Sequence, residues 1–142
     1  MSDLVVAIRA AIDEDERIAR DALHADAVDP GVWMTEHHNS ETHNEPNRCH
    51  IAEDRGGHYW SVAHEVFIPN AEHMARHDPA RVLHQVAAHR EILELHDNVV
   101  RSTPAGTKFI WCPQCGGDVN DPDRPCPTLR ALAKGYGIEA GT

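Results

Sequence analysis

Three cysteines in the last third of the 142-residue chain have the types and spacing of metal ligands. Cys112 and Cys115 are separated by two residues, which allows two thiolates to bind one tetrahedral ion. Glycines at 116 and 117 let backbone amides approach the sulfur atoms in a tight turn. Cys126 precedes a proline, so we expect it at the N-cap of a helix, where the helix dipole lowers the pKa of a thiol. The pattern predicts a structural zinc ion bound by these three cysteines and one further residue.

The fourth ligand must come from elsewhere in the chain, because structural zinc sites usually bind four protein atoms. His96 is favoured, since it lies near the end of a predicted long helix, on the stripe that also carries apolar residues. His89, one heptad earlier on the same stripe, and Cys49 stay open as alternatives. The opposing interpretation makes His96 a core histidine and the cysteine pair a redox or unligated turn. A redox pair would open a helix, however, and the two glycines after Cys115 argue against a helix there.

A catalytic zinc site is the second hypothesis. His89 and Glu91, followed by the cysteine pair, resemble the zinc-dependent deaminase pattern, in which a glutamate moves protons at a metal-bound water. On a helix these two residues are about 200° apart, so their side chains point to opposite faces. Cys126 would also fill the coordination position that the substrate water needs. The sequence therefore predicts no catalytic residue, and a zinc hydrolase or deaminase is the alternative to a structural zinc site.

Histidines are also frequent between residues 37 and 64. They are His37, His38, His43, His50, His58 and His64. One interpretation of this tract is a second metal site. The favoured interpretation is a solvated polar loop with incidental histidines, because adjacent histidines in a strand would face opposite sides.

The elements that must position these residues indicate an α+β fold in a single domain, 1–142. Apolar residues at helical spacing predict a helix within residues 1–25. Short segments rich in aromatic and β-branched residues predict a small antiparallel sheet within residues 32–68, interrupted by a polar loop at 36–47. We expect the N-terminal helix and a long central helix to pack on this sheet.

Helices are expected within residues 70–100, the first capped by Asn70 and the second by Asp78 and running to about residue 99. A loop should follow at 101–106. The zinc knuckle and a short last helix then occupy residues 108–135, with a strand leading into Cys112.

The composition excludes several classes of protein. With 23 acidic and 13 basic residues the net charge is −10, which argues against sequence-independent nucleic-acid binding and against docking on anionic lipid. No apolar run approaches the roughly 20 residues that span a bilayer, and we expect a cytoplasmic protein, in which cysteines bind metal rather than form disulfides. Residues 1–69 hold 14 of the acidic and 5 of the basic residues, so the acidic surface belongs to the N-terminal half.

Four segments together resemble a known family. They are residues 13–16, 30–33, 71–83 and 126–133. In that order they are similar to a family of small proteins of unknown function from actinobacteria and their phages. The resemblance implies an actinobacterial or phage cytoplasmic origin, a variable loop at 36–47 and a histidine ligand at the position of His96, and it implies no activity. The first hypothesis is therefore a small acidic, zinc-stabilised binding or regulatory protein that acts on another protein, such as a host protein if a phage encodes it.

Overall fold

The computed structural model of the chain describes residues 3–23, 30–36, 48–96, 99–102, 106, 108–115, 118–119 and 126–139. The predicted loop at 36–47 lies almost wholly outside these residues, as do His37, His38 and His43. The contacts of the chain divide it into two compact units. The first unit comprises Met1–Glu14 and Val86–Thr142, and the second comprises Asp15–Gln85.

Helices and antiparallel strands are both present, which confirms the predicted α+β class. In chain order they are α1 (Asp3–Asp21), β1 (Met34–Glu36), β2 (Arg48–Asp54), β3 (Tyr59–Phe67), α2 (Ile68–Arg76), α3 (Pro79–Leu95), β4 (Val99–Ser102), β5 (Lys108–Trp111), β6 (Asp118–Val119) and α4 (Pro127–Gly135). No helix of the described residues has the length and apolar character needed to cross a membrane.

The second unit contains an antiparallel sheet in the order β1-β2-β3. The central strand β2 supplies Cys49 and Ile51 to a buried cluster, and α2 adds Ala71 from above the sheet. The helix packs there because its apolar side chains match the apolar face of β2 and β3.

A fully buried carboxylate lies at the end of β2, a feature that the sequence did not predict. Glu53 accepts a 2.9 Å hydrogen bond from the N–H of Gly31 and a 3.4 Å bond from Arg55 Nε. The carbonyl of Gly31 in turn accepts a 3.1 Å bond from the N–H of Ala80. The two bonds to Glu53 compensate the burial of its polar oxygens, which would otherwise be unfavourable. Together with the bond from Ala80 they tie the Gly31 turn to β2 and to α3.

The first unit contains a smaller antiparallel sheet in the order β4-β5-β6. Two expectations about this region are wrong. The long helix ends at Leu95 rather than near residue 99, and Val99–Ser102 is a strand where the predicted loop begins. The reason is non-local: β4 pairs with β5, with Val99 opposite Trp111 and Ser102 opposite Lys108.

One of the two predicted helix caps, Asp78 of α3, is present in the structure, and the other, Asn70 of α2, is not. Asp78 is confirmed, because its Oδ1 accepts a 2.7 Å hydrogen bond from the N–H of Arg81. Asn70 as the cap of α2 is wrong, since that helix begins two residues earlier, at Ile68. A proline in the first turn suits a helix start, and the N-cap residue, Phe67, makes no capping bond through its side chain.

Candidate metal centre

His96, Cys112, Cys115 and Cys126 form a cluster in the first unit, with all their donor atoms within 4.8 Å of one another. The Nδ1 of His96 lies 3.5 Å from the Sγ of Cys112, 3.3 Å from that of Cys115 and 3.5 Å from that of Cys126. The sulfur atoms of Cys115 and Cys126 are 3.4 Å apart. In a tetrahedral zinc site with Zn–S of about 2.3 Å and Zn–N of about 2.0 Å, the ligand atoms are about 3.5 to 3.8 Å apart. The three distances from His96 and the distance between Cys115 and Cys126 are therefore each within about 0.4 Å of those in a zinc site.

Three of the ligand candidates lie directly at the end of a regular element, and Cys115 lies in the turn after β5. His96 is the residue after α3, and its N–H still donates to the carbonyl of Ile92. Cys112 follows β5 directly, and the turn after it brings the N–H of Cys115 to 3.4 Å from the Cys112 sulfur. That N–H···S bond closes the tight turn that the cysteine spacing predicts. The glycines at 116 and 117 lie outside the described residues.

Cys126 is at the N-cap of α4, as predicted from the proline that follows it. The predicted direction of its pKa is wrong: burial raises the pKa of the Cys126 thiol, and this outweighs the lowering effect of the Leu129 backbone N–H. Desolvation wins because only 1% of the residue is exposed. A divalent ion would supply the positive charge that a buried thiolate needs here.

Cys115 is the exposed member of the cluster. Its sulfur is 3.5 Å from the hydroxyl of Thr128, and that hydrogen bond is the main reason why the pKa of the Cys115 thiol is lowered. The sequence pattern did not indicate this role of Thr128. The available signal was its position in the first turn of α4, two residues after Cys126.

The two other candidates for the fourth ligand are engaged elsewhere. The Nδ1 of His89 is 2.6 Å from the hydroxyl of Tyr136, and the two rings meet edge to face. Cys49 belongs to the second unit, where burial and then the charge of Glu72 raise the pKa of its thiol. The deaminase pattern required His89 as a ligand, whereas the cluster contains His96.

The cluster offers four protein donors, three sulfurs and one imidazole nitrogen, to one point. Four donors complete a tetrahedral shell, whereas a catalytic zinc site keeps one position open for water or substrate. Cys112 and Cys126 are each 1% exposed, so two of the three sulfur donors are closed to solvent. The arrangement can therefore bind a metal ion and cross-link the chain.

Comparison with known proteins adds a family and no activity. The model of a family of unknown function, DUF6221, matches residues 1–137, so the chain belongs to this family. No curated protein and no solved structure matches the chain. The sequence resemblance to a family of unknown function is thus confirmed, while an actinobacterial or phage source stays a prediction.

Proposed function

We propose that this member of the DUF6221 family is a zinc-stabilised binding or regulatory protein that acts on another protein. The observation that carries the proposal is the cluster of four donors, all supplied by the chain itself, at the ends of three elements. A metal held in this way stabilises a fold rather than activating a water molecule.

Zinc is the ion that suits these donors best. Thiolates select zinc, copper(I) and iron–sulfur clusters, and a shell of three sulfurs and one nitrogen is common for structural zinc. The chemistry also favours the cytoplasm, because reduced thiols persist in a reducing compartment.

The proposed structural role follows from where the ligands lie. One ion would join the end of α3, the turn after β5 and the start of α4 in the first unit. The only sheet described in that unit has strands of two to four residues, which provide few hydrogen bonds. Small folds with limited cores gain much of their stability from such cross-links.

A protein partner is supported by the surface of the second unit. Tyr59, Trp60 and Phe67 on β3 are each more than half exposed. Arg55 stacks over the Trp60 ring at 5.2 Å and Arg48 over the Phe67 ring at 4.9 Å. Exposed aromatic side chains and arginines are enriched where proteins bind proteins. The net charge of −10 favours a partner with a basic surface.

Cobalt substitution tests the structural role of the metal. Tetrahedral Co²⁺ bound by three sulfurs and one nitrogen should give a sulfur-to-metal charge-transfer band that added azide or cyanide at low concentration leaves unchanged, because no position is open. A spectrum that shifts on anion binding would instead support the alternative, a zinc hydrolase or deaminase, and would overturn a saturated site.

The partner is tested separately. Zinc-loaded wild-type protein and a Trp60→Ser variant are each used as bait in affinity capture from a cell lysate. A partner that binds β3 should bind the wild type at least several-fold more tightly than the variant. Equal binding by both proteins would show that β3 is not the binding surface.

A further inference from the structure

His50 on β2 and His64 on β3 form a pair of imidazoles in the second unit. Their Nδ1 atoms are 3.2 Å apart, the ring centroids are 4.8 Å apart, and the ring planes are inclined by 82°. We propose that this pair binds a divalent transition-metal ion through both Nδ1 atoms. This site is independent of the cysteine cluster and of the function proposed above.

The separation of the two nitrogens fits one shared ion. Zinc–nitrogen bonds are about 2.0 to 2.1 Å long, which places two imidazole nitrogens about 3.3 to 3.4 Å apart at a tetrahedral angle and about 2.9 Å apart at a right angle. The observed 3.2 Å lies between these values. The two nitrogens therefore already lie at the separation that a shared ion requires.

The proton balance of such binding is simple. Without metal, one neutral ring donates its Nδ1 proton to the Nδ1 lone pair of the other ring. When an ion binds, the donor ring changes to the tautomer with its proton on Nε2, and both Nδ1 lone pairs face the metal. Imidazole is a preferred ligand of Zn²⁺, Ni²⁺ and Cu²⁺, and water completes the coordination on the exposed side.

The backbone of β3 is irregular at this point. Cys49 pairs with Val66 and Ile51 with Ala63, so His50 is opposite two residues, His64 and Glu65. Such a β-bulge redirects the side chains beside it. Glu65 has a φ of 53°, a conformation that costs a non-glycine residue on the order of 1 kcal/mol or more. The bulge places His64 beside His50, and His64 is exposed, which gives an ion access from solvent.

Equilibrium dialysis of untagged, zinc-loaded protein against Ni²⁺ tests the site. The wild type should bind one nickel ion per chain at this site. His64→Gln and His50→Gln should each bind nickel on the order of tenfold or more weakly than the wild type does. His58→Gln is the matched control, since it removes an exposed histidine of the same hairpin and should bind nickel as the wild type does. Equal nickel binding by the wild type and both pair variants would overturn the proposal.

Two further measurements keep the test decisive. In NMR spectra of the wild type, paramagnetic Ni²⁺ should broaden the backbone amide signals around residues 50 and 64. This measurement uses no variant, so it does not depend on a variant folding correctly.

The competing site for nickel is the pair His73 and His77, whose ring centroids are 4.5 Å apart. Loss of nickel in His73→Gln with full binding in His64→Gln would contradict the proposal. If the cysteine cluster did not retain zinc, nickel would also bind there, equally in the wild type and in each histidine variant. The difference between the wild type and the pair variants would therefore still test the histidine pair, whatever the outcome for the zinc site.

Discussion

The Nδ1 of His96 lies 3.3 Å from the Sγ of Cys115, although 19 positions separate the two residues in the chain. The histidine comes directly after α3, and the cysteine lies in the turn that follows β5. Cys126, the N-cap of α4, approaches the same point. One ion bound there would cross-link the end of α3, the turn after β5 and the start of α4.

His96 should be the nitrogen ligand of the cluster. Replacing it with alanine should leave three sulfurs and an open position, so Co²⁺ binds on the order of tenfold or more weakly and its spectrum responds to added azide. His89→Ala is the matched control: it removes a hydrogen bond to Tyr136 and should retain the wild-type cobalt spectrum. Optical titration with Co²⁺ measures both variants. A wild-type spectrum in His96→Ala would mean that another residue supplies the nitrogen.

Removal of the metal should loosen the first unit selectively. After chelation, we expect the backbone amides of α4 to exchange hydrogen on the order of tenfold or more faster, because the start of this helix loses its cross-link. Amides of β2 and β3 in the second unit should keep their protection. Hydrogen exchange followed by mass spectrometry measures both regions, and re-addition of zinc is the control for reversibility. Unchanged exchange in α4 would argue that the cluster does not stabilise it.

Asp78 should contribute to stability through two hydrogen bonds. Its Oδ1 accepts from the N–H of Arg81 at 2.7 Å, and its Oδ2 accepts from the N–H of Trp33 at 3.4 Å. Asp78→Ala should lower the free energy of unfolding by about 1 to 2 kcal/mol, as the loss of a helix cap does. Asp78→Asn keeps a capping oxygen and should cost less. Equilibrium urea unfolding measures the difference, and equal midpoints for alanine and wild type would contradict the role as a cap.

Gly31 should tolerate no side chain. Its φ is +81°, and a Cβ there would lie 2.5 Å from a methyl carbon of Leu23 and 3.0 Å from the Cβ of Pro79. Gly57 is the matched control, because its φ is +85° but a Cβ there would meet nothing within 4 Å. Gly57→Ala should therefore lower the free energy of unfolding by about 1 to 2 kcal/mol, the cost of a left-handed backbone for alanine. Gly31→Ala should lower it by about 1 to 3 kcal/mol more, because the new Cβ also overlaps its neighbours. Equal unfolding free energies for the two variants would show that Leu23 and Pro79 move aside easily.

Features that depend on neighbouring residues were accessible from the sequence. The start of α3 followed from an aspartate before a proline, and the start of α4 followed from Cys126 before another proline. The proximity of the three cysteines was likewise expected from their spacing. His96 was favoured from its place on a helical stripe, and the structure brings it to the three sulfur atoms.

Features that depend on distant pairing were not accessible. Strand β4 has four residues and is recognisable only beside β5. The approach of His64 to His50 depends on a bulge, and the position of a bulge requires the register of both strands. Burial of Glu53 has the same origin, since a carboxylate in a short strand carries no local sign that the N–H of Gly31 will meet it. The pKa of Cys126 was misjudged because burial, which the sequence does not give, outweighs the effect of the helix terminus.

Zinc content tests the central claim most directly. Untagged protein is dialysed against a chelator that removes weakly bound ions, and its metals are then measured by elemental analysis. We expect one zinc ion per chain in the wild type and in Cys49→Ala, whose residue is buried in the second unit. In Cys112→Ser and Cys126→Ser the zinc should be lost, because each removes one of the four donors. A wild-type protein without zinc, or a Cys112→Ser variant with a full complement of zinc, would contradict a structural zinc site at this cluster.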